Sequence, residues 1–204
     1  RDFFLQLSWH HPETEDRPLQ RKMAGFRFNA NHPALDAWKD GRTGYPLVDA
    51  GMRELKASGS MHPRIRAIAA AFLCFDLGVD WRVGRDIWDH LLVEDDPAIA
   101  TGNWQWVAGV GADLAAYPRI YNPMKQARLY DPNGTYIRTW VPELADVPNA
   151  VLLDPWQRER RAQTELPLFG DGSYPRPVVE HDVVARDFLK RYQKHVAAHA
   201  PIAR

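Results

Sequence analysis

Ile65, Ile68, Ala69, Phe72 and Leu73 recur at spacings of three and four, so they share one face of a helix and cannot line one side of a strand. Ala67, Ala70 and Ala71 on the same segment leave room for a neighbouring group to approach closely, and Arg64 and Arg66 flank its N-terminal end. The period returns in Val48, Met52 and Leu55, with Gly59 placed to stop that helix. It returns again in Ile87, Trp88, Leu91 and Leu92 over 82–93, and in Val184, Phe188, Tyr192 and Val196 over 182–199. No alternating pattern of useful length interrupts these segments and no internal repeat is present, so the chain is expected to be all-α.

The remaining elements follow from local punctuation. Phe3, Phe4, Leu7 and Trp9 fit one face of a helix over 2–11 that His11-Pro12 ends, and 12–33 reads as loop. Residues 34–38 make a short helical turn before the turn-forming Gly41-Arg42-Thr43-Gly44-Tyr45-Pro46. Asp96 before Pro97 suits a helix cap with proline in the first turn. Residues 102–157, rich in Gly, Pro, Asn and aromatics, read as short helices joined by ordered loops. The charged, then Gly/Pro-rich run 157–177 reads as a surface excursion. The start at Arg1-Asp2-Phe3-Phe4 has neither an initiator Met nor a signal pattern, and implies that part of the natural protein precedes it.

Balanced charge, 26 basic against 26 acidic residues, gives no global field toward nucleic acid, so an anionic partner has to be met by a local patch. The single cysteine, Cys74, lies in an apolar run without an internal disulfide partner, which fits a reducing, cytoplasmic setting. No run reaches the roughly 18 apolar residues of a membrane span. The Gly-x-Gly-x-x-Gly and Gly-Lys-Ser/Thr phosphate loops and the Gly-x-Ser-x-Gly nucleophile motif are all missing, and no metal site is expected, because only His10-His11 lie close and adjacent residues diverge on a helix.

Tryptophan stands out: four of the eight, Trp81, Trp88, Trp104 and Trp106, fall between positions 81 and 106. Each alone is most simply a core residue. Trp104 and Trp106, two apart, do not share a helix face, so one is expected to look inward and one into a cleft.

The strings Trp38 to Leu55 (with Gly41, Gly44-Tyr45-Pro46, Asp49-Ala50 and Met52-Arg53), Met61-His62-Pro63-Arg64-Ile65-Arg66, Asp80-Trp81-Arg82 and Gly102-Asn103-Trp104-Gln105-Trp106 resemble, in order and spacing, the signature blocks of photolyases and cryptochromes. The likeness continues through Arg119-Ile120-Tyr121-Asn122-Pro123, Ile137-Arg138, Pro142-Glu143-Leu144 and Tyr174-Pro175 and covers nearly the whole chain. Asn103-Trp104 and Ala108-Gly109-Val110-Gly111 look like the DASH-type branch, whereas Trp106 and Asn122-Pro123 look like bacterial photolyases.

The resemblance implies a helical domain that holds FAD, following an α/β domain with an antenna chromophore that this chain does not contain. By the same likeness Arg66 sits beside the flavin ring with Asp76 as its partner, Glu94 and Asp96 meet the ribityl and adenosine part, and Arg1 is the Arg of a Trp-Arg pair opening the first helix. Trp104 is the indole nearest the flavin and Trp81 the next in an electron relay, whose third position falls on Phe28, a ring much harder to oxidise, leaving Trp88 or a tyrosine as another exit. Trp106 and Arg119 match positions that meet a flipped pyrimidine dimer and the DNA backbone.

Four positions depart from the pattern. Ala100 stands where repair enzymes carry an Asn facing flavin N5, Pro63 and Ser60 replace Asn and Trp around Met61-His62, and Ala67 replaces a lesion-contacting Met. The expected function is FAD-dependent, light-driven repair of pyrimidine dimers in DNA by a monomer without a membrane or metal partner. A cryptochrome-type photoreceptor with little repair is the alternative that Ala100, Pro63 and Ala67 favour.

Overall fold

The arginine-bearing apolar segment forms the central helix of the computed structural model, which describes residues 1–94, 96–113, 115, 117–153 and 174–199. Among these no strand forms. One isolated bridge joins Asn29 and Val79. The chain runs through α1 (Asp2–His10), α2 (Leu35–Lys39), α3 (Pro46–Ser58), α4 (Pro63–Ala71), α5 (Trp81–Asp89), α6 (Pro97–Val107), α7 (Pro123–Tyr130), α8 (Thr135–Trp140), α9 (Asn149–Leu152) and α10 (His181–Ala198). Two short 3₁₀ turns, Pro12–Glu15 and Arg21–Met23, punctuate the expected loop 12–33. Most of the excursion read over 157–177 lies outside the described residues.

Helix ends obey the local signals. Gly59 takes a left-handed conformation (φ 68°) and its N–H donates to the Leu55 carbonyl, closing α3. Asp80, Asp96 and Asn122 accept hydrogen bonds from the first turns of α5, α6 and α7, with Pro97 and Pro123 where no backbone donor is needed. His62 Nδ1 does the same for α4.

α4 sits at the centre, packed against α3 and α6, while α8 covers α3 and α5 lies along α6. Ile65, Ile68, Phe72 and Leu73 are all buried, as the period requires. The helix does not stop at Ala71 but loosens into a π turn, Phe72–Asp76, whose widened ring swings Phe75 and Asp76 toward α10. Phe75 and Phe188 meet there at 4.9 Å.

Two polar ties fix the loops around this core. The Asp49 carboxylate, fully buried, accepts from Thr43 N (2.7 Å), Thr43 Oγ1 (2.6 Å), Gly44 N (3.1 Å) and Tyr174 Oη (2.5 Å), and so organises the turn before α3. Gln105 on α6, also buried, donates to Thr14 O and Arg17 O and accepts from Leu19 N, which holds the segment after α1. Satisfied buried groups of this kind specify one loop conformation, because each lost partner costs about 1–3 kcal/mol.

Candidate flavin site

The N-terminal half of α4, the C-terminal part of α5, the acidic turn after it and one side of α6 enclose a cleft of about 780 Å³. Nine of the expected site residues stand on its wall: Arg1, Pro63, Arg66, Ala67, Glu94, Asp96, Ala100, Trp104 and Trp106. They come from four separate stretches of chain, and the packing of α1, α4 and α5 against α6 assembles them.

Arg66 is the cleft's organising cation. Its Nε donates to the Met61 carbonyl (2.6 Å) and its Nη1 to Glu94 Oε2 (2.7 Å). The guanidinium in turn holds the Glu94 carboxyl below the usual range. Asp96 Oδ1 caps α6 by accepting from Ile99 N (3.2 Å), and Arg1 Nε lies 3.8 Å from its Oδ2. Acceptors, a cation and the positive end of α6 therefore gather at one end of the cleft. Ala67, Ala70, Ile99, Ala100 and Trp104 give the other part a flat apolar lining.

One expected pairing is different in the structure. Asp76 does not pair with Arg66: ten positions along a helix separate the two by about 15 Å, beyond the reach of either side chain. The π turn instead presents Asp76 to α10, where its Oδ1 lies 2.5 Å from His181 Nδ1, away from the cleft. Burial, partly offset by His181, pushes Asp76 up to about 6. The partner of Arg66 is Glu94. Trp104 and Trp106 do divide, Trp104 buried against α5 and Trp106 half-buried at the cleft, although both also touch its wall, and Gln105 between them turns toward the segment after α1.

Trp81 is buried behind the wall, with the guanidinium carbons of Arg82 and Arg85 at 5.8 and 5.4 Å from its ring. Phe28 packs with Phe26 and Phe188. Arg119 lies 4.7 Å over the Trp106 ring at the cleft's edge and 3.7 Å from Asp113.

The wall also includes Trp88, whose ring centroid is 4.6 Å from that of Trp104. Its place was signalled by Trp81, Gly84 and Trp88 at i, i+3 and i+7 on α5, a small residue between two large ones on a single face. A Cβ at Gly84 would collide with Trp104 Cη2 and Leu73 Cδ2, so glycine there is what lets the Trp104 indole press against α5.

A cleft of this size is within the range of cofactor sites. Its parts suit a flavin dinucleotide: carboxylates to accept from sugar hydroxyls and an amine, a guanidinium to offset negative charge on the ring, and an apolar face for the ring itself. The comparisons agree. Residues 1–194 match the model for the FAD binding domain of DNA photolyase, and the chain belongs to that family.

Among relatives, the deoxyribodipyrimidine photo-lyase of Alkalihalophilus pseudofirmus is 41% identical over 181 residues, covering 89% of this chain and 38% of that protein. The crystal structure of a bacterial class III photolyase from Agrobacterium tumefaciens superposes with a TM-score of 0.84 at 38% identity, over 96% of this chain and 40% of that one. A cryptochrome from Synechocystis gives 0.81 at 34%, over 93% and 39%. The chain thus spans about 40% of the length of the proteins it resembles. No helix among the described residues is long and apolar enough to cross a membrane.

Proposed function

We propose that this chain is the C-terminal helical part of a light-driven DNA repair enzyme, a lyase that uses FAD to split pyrimidine dimers. An α/β domain with an antenna chromophore would precede it in the intact, monomeric, cytoplasmic protein. The observation that carries the reading is the convergence of Arg66, Glu94, Asp96 and Trp104 on one cleft, with the Arg119 and Trp106 pair at its edge.

FAD supplies the electron that cleaves the dimer. What the protein supplies is binding and orientation. Glu94 and Asp96 accept from the sugar hydroxyls, Arg66 favours negative charge on the ring, and Trp104 closes the ring's site against water. Trp106 offers a flat wall to a base turned out of the helix, and Arg119 a cation to the backbone phosphate beside it. The family details split between DASH-type and bacterial photolyase features, and Trp106 with Arg119 favours the bacterial repair type.

Ala100 and Ala67 on the cleft wall support a second reading, a photoreceptor of cryptochrome type, since neither side chain hydrogen-bonds to the ring or reaches a lesion. The two readings part under blue light. A repair enzyme, as full-length protein, clears pyrimidine dimers from an oligonucleotide only when illuminated. Photoreduction of bound flavin with the dimers left intact would replace repair with reception.

A further inference from the structure

A carboxylate outside the cleft sets Arg119 against Trp106. Asp113 Oδ2 lies 3.7 Å from Arg119 Nη2, and the guanidinium carbon stands 4.7 Å over the Trp106 ring. Trp106 lines the cleft, whereas Arg119 and Asp113 do not, so the cation backs the indole and leaves the space in front of it open.

Asp113 is itself held. Its side chain is 16% exposed, against 53% for Arg119. Its Oδ1 accepts from Ala115 N (3.0 Å), its N–H donates to the Gly111 carbonyl (2.9 Å), and Gln20 Nε2 donates to the carbonyls of both Gly111 (2.7 Å) and Asp113 (3.1 Å). Gly111 N donates in turn to the Gln105 carbonyl (3.0 Å), one residue before Trp106. The loop thus carries Asp113 on the same frame as Trp106, while the exposed Arg119 side chain is placed by its contacts with the two.

We propose that Asp113 is a positioning residue for nucleic-acid discrimination: it parks Arg119 on Trp106, so that the cation and the flat ring meet a nucleotide turned out of its stack at one fixed spacing. The proposal rests on the cleft and its edge receiving DNA.

A carboxylate beside a phosphate-binding cation acts in two opposed ways. It orders the guanidinium before binding, which lowers the entropy cost of fixing a long side chain on the one geometry that a flipped nucleotide offers. It also repels the phosphates of every strand, damaged or not. The pair is long and open to water on the arginine side, so a phosphate oxygen can take the place of the carboxylate at the guanidinium without a large loss. Removing the Asp113 charge therefore strengthens general binding and weakens discrimination, whereas damage to the loop alone would weaken both.

The test is binding in the dark, by full-length flavin-loaded protein, of an undamaged duplex and of the same duplex with one pyrimidine dimer, at about 50 and 200 mM salt. Asp113→Asn keeps an oxygen for Ala115 N and removes the charge. It is expected to bind the undamaged duplex about two- to fivefold tighter at low salt, with the gain shrinking at high salt, and to lose about threefold or more of the preference for the dimer. Asp113→Glu restores most of that preference, and in an Arg119→Ala background Asp113→Asn changes it no further. An unchanged preference in Asp113→Asn, or the same loss with and without Arg119, overturns the proposal. Should Asp113→Asn fail to fold, Arg119→Lys decides: it keeps the charge but not the planar fork, so general affinity is expected to stay and preference to fall, and full preference overturns the proposal. An unsubstituted protein with no preference for the dimer overturns the DNA reading itself, so the two failures are distinct.

Discussion

Arg66 and Glu94 meet across 28 positions of sequence, Nη1 to Oε2 at 2.7 Å, with Glu94 65% exposed at its side chain. An ion pair open to water contributes only about 0–1 kcal/mol to folding. Its geometry therefore matters more for what enters the cleft than for holding α4 to the acidic turn. Glu94→Gln is expected to leave the denaturation midpoint of the full-length protein nearly unchanged while weakening FAD binding, read by titration of the cofactor-free protein. A stability loss above about 2 kcal/mol with unchanged affinity would make the pair structural.

Asp49 is the opposite case. Its carboxylate accepts four hydrogen bonds in the core, and burial raises its pKa even though Thr43 and Tyr174 bond to it. Asp49→Ala removes the shared acceptor of two backbone N–H groups and two hydroxyls in the core, a loss of about 3–5 kcal/mol in urea unfolding. Asp49→Asn, which keeps part of the set, is expected to lose less.

Those two carboxylates show what the sequence makes legible. The helix faces around Ile65 and Val48, the stop at Gly59 and the Asp96-Pro97 cap are encoded within a few residues of themselves, so periodicity and cap chemistry reveal them. The cleft's membership was legible through the family resemblance, motif by motif. The pairing of its charges was not: whether Arg66 takes Glu94 or Asp76 depends on how α4 packs and on the π turn at Phe72–Asp76, and no local pattern announces an extra residue in a helical turn. Trp88 stands out in the sequence, but its contacts with Trp38 and Trp104 exist only in the folded chain.

Asp76 gives a pH dependence. Its pKa, raised by burial from 3.8 to about 6, means the folded state binds its proton more tightly than the unfolded one, so between about pH 4 and pH 6 stability falls as pH rises. Above that window the contribution is a constant penalty of roughly 3 kcal/mol relative to acid conditions. Denaturation curves of wild type and Asp76→Asn from pH 4 to 7.5 check it. The difference between them should shift in the variant's favour as pH rises, and a pH-independent difference would mean that Asp76 does not titrate in this range.

Gly84→Ala tests the seating of Trp104. The added methyl collides with Trp104 Cη2, so the indole is displaced from α5. The expected result is a shifted flavin absorption envelope and slower photoreduction of the full-length protein, beyond any change in melting temperature. An unaltered flavin spectrum and rate would show that the ring position does not depend on that contact.

Ala100 lines the cleft where it offers no hydrogen bond to a ring. Ala100→Asn restores a donor and acceptor, and is expected to speed formation of a stable reduced flavin under blue light. An unchanged rate would remove Ala100 from the ring's surroundings.

The decisive measurement is a crystal structure of the full-length protein with its flavin. Ring density is expected in the cleft, against Ala100 and Trp104 and beside Arg66, with sugar hydroxyls at Glu94 or Asp96. Flavin density elsewhere in the molecule, with that cleft empty, would contradict it.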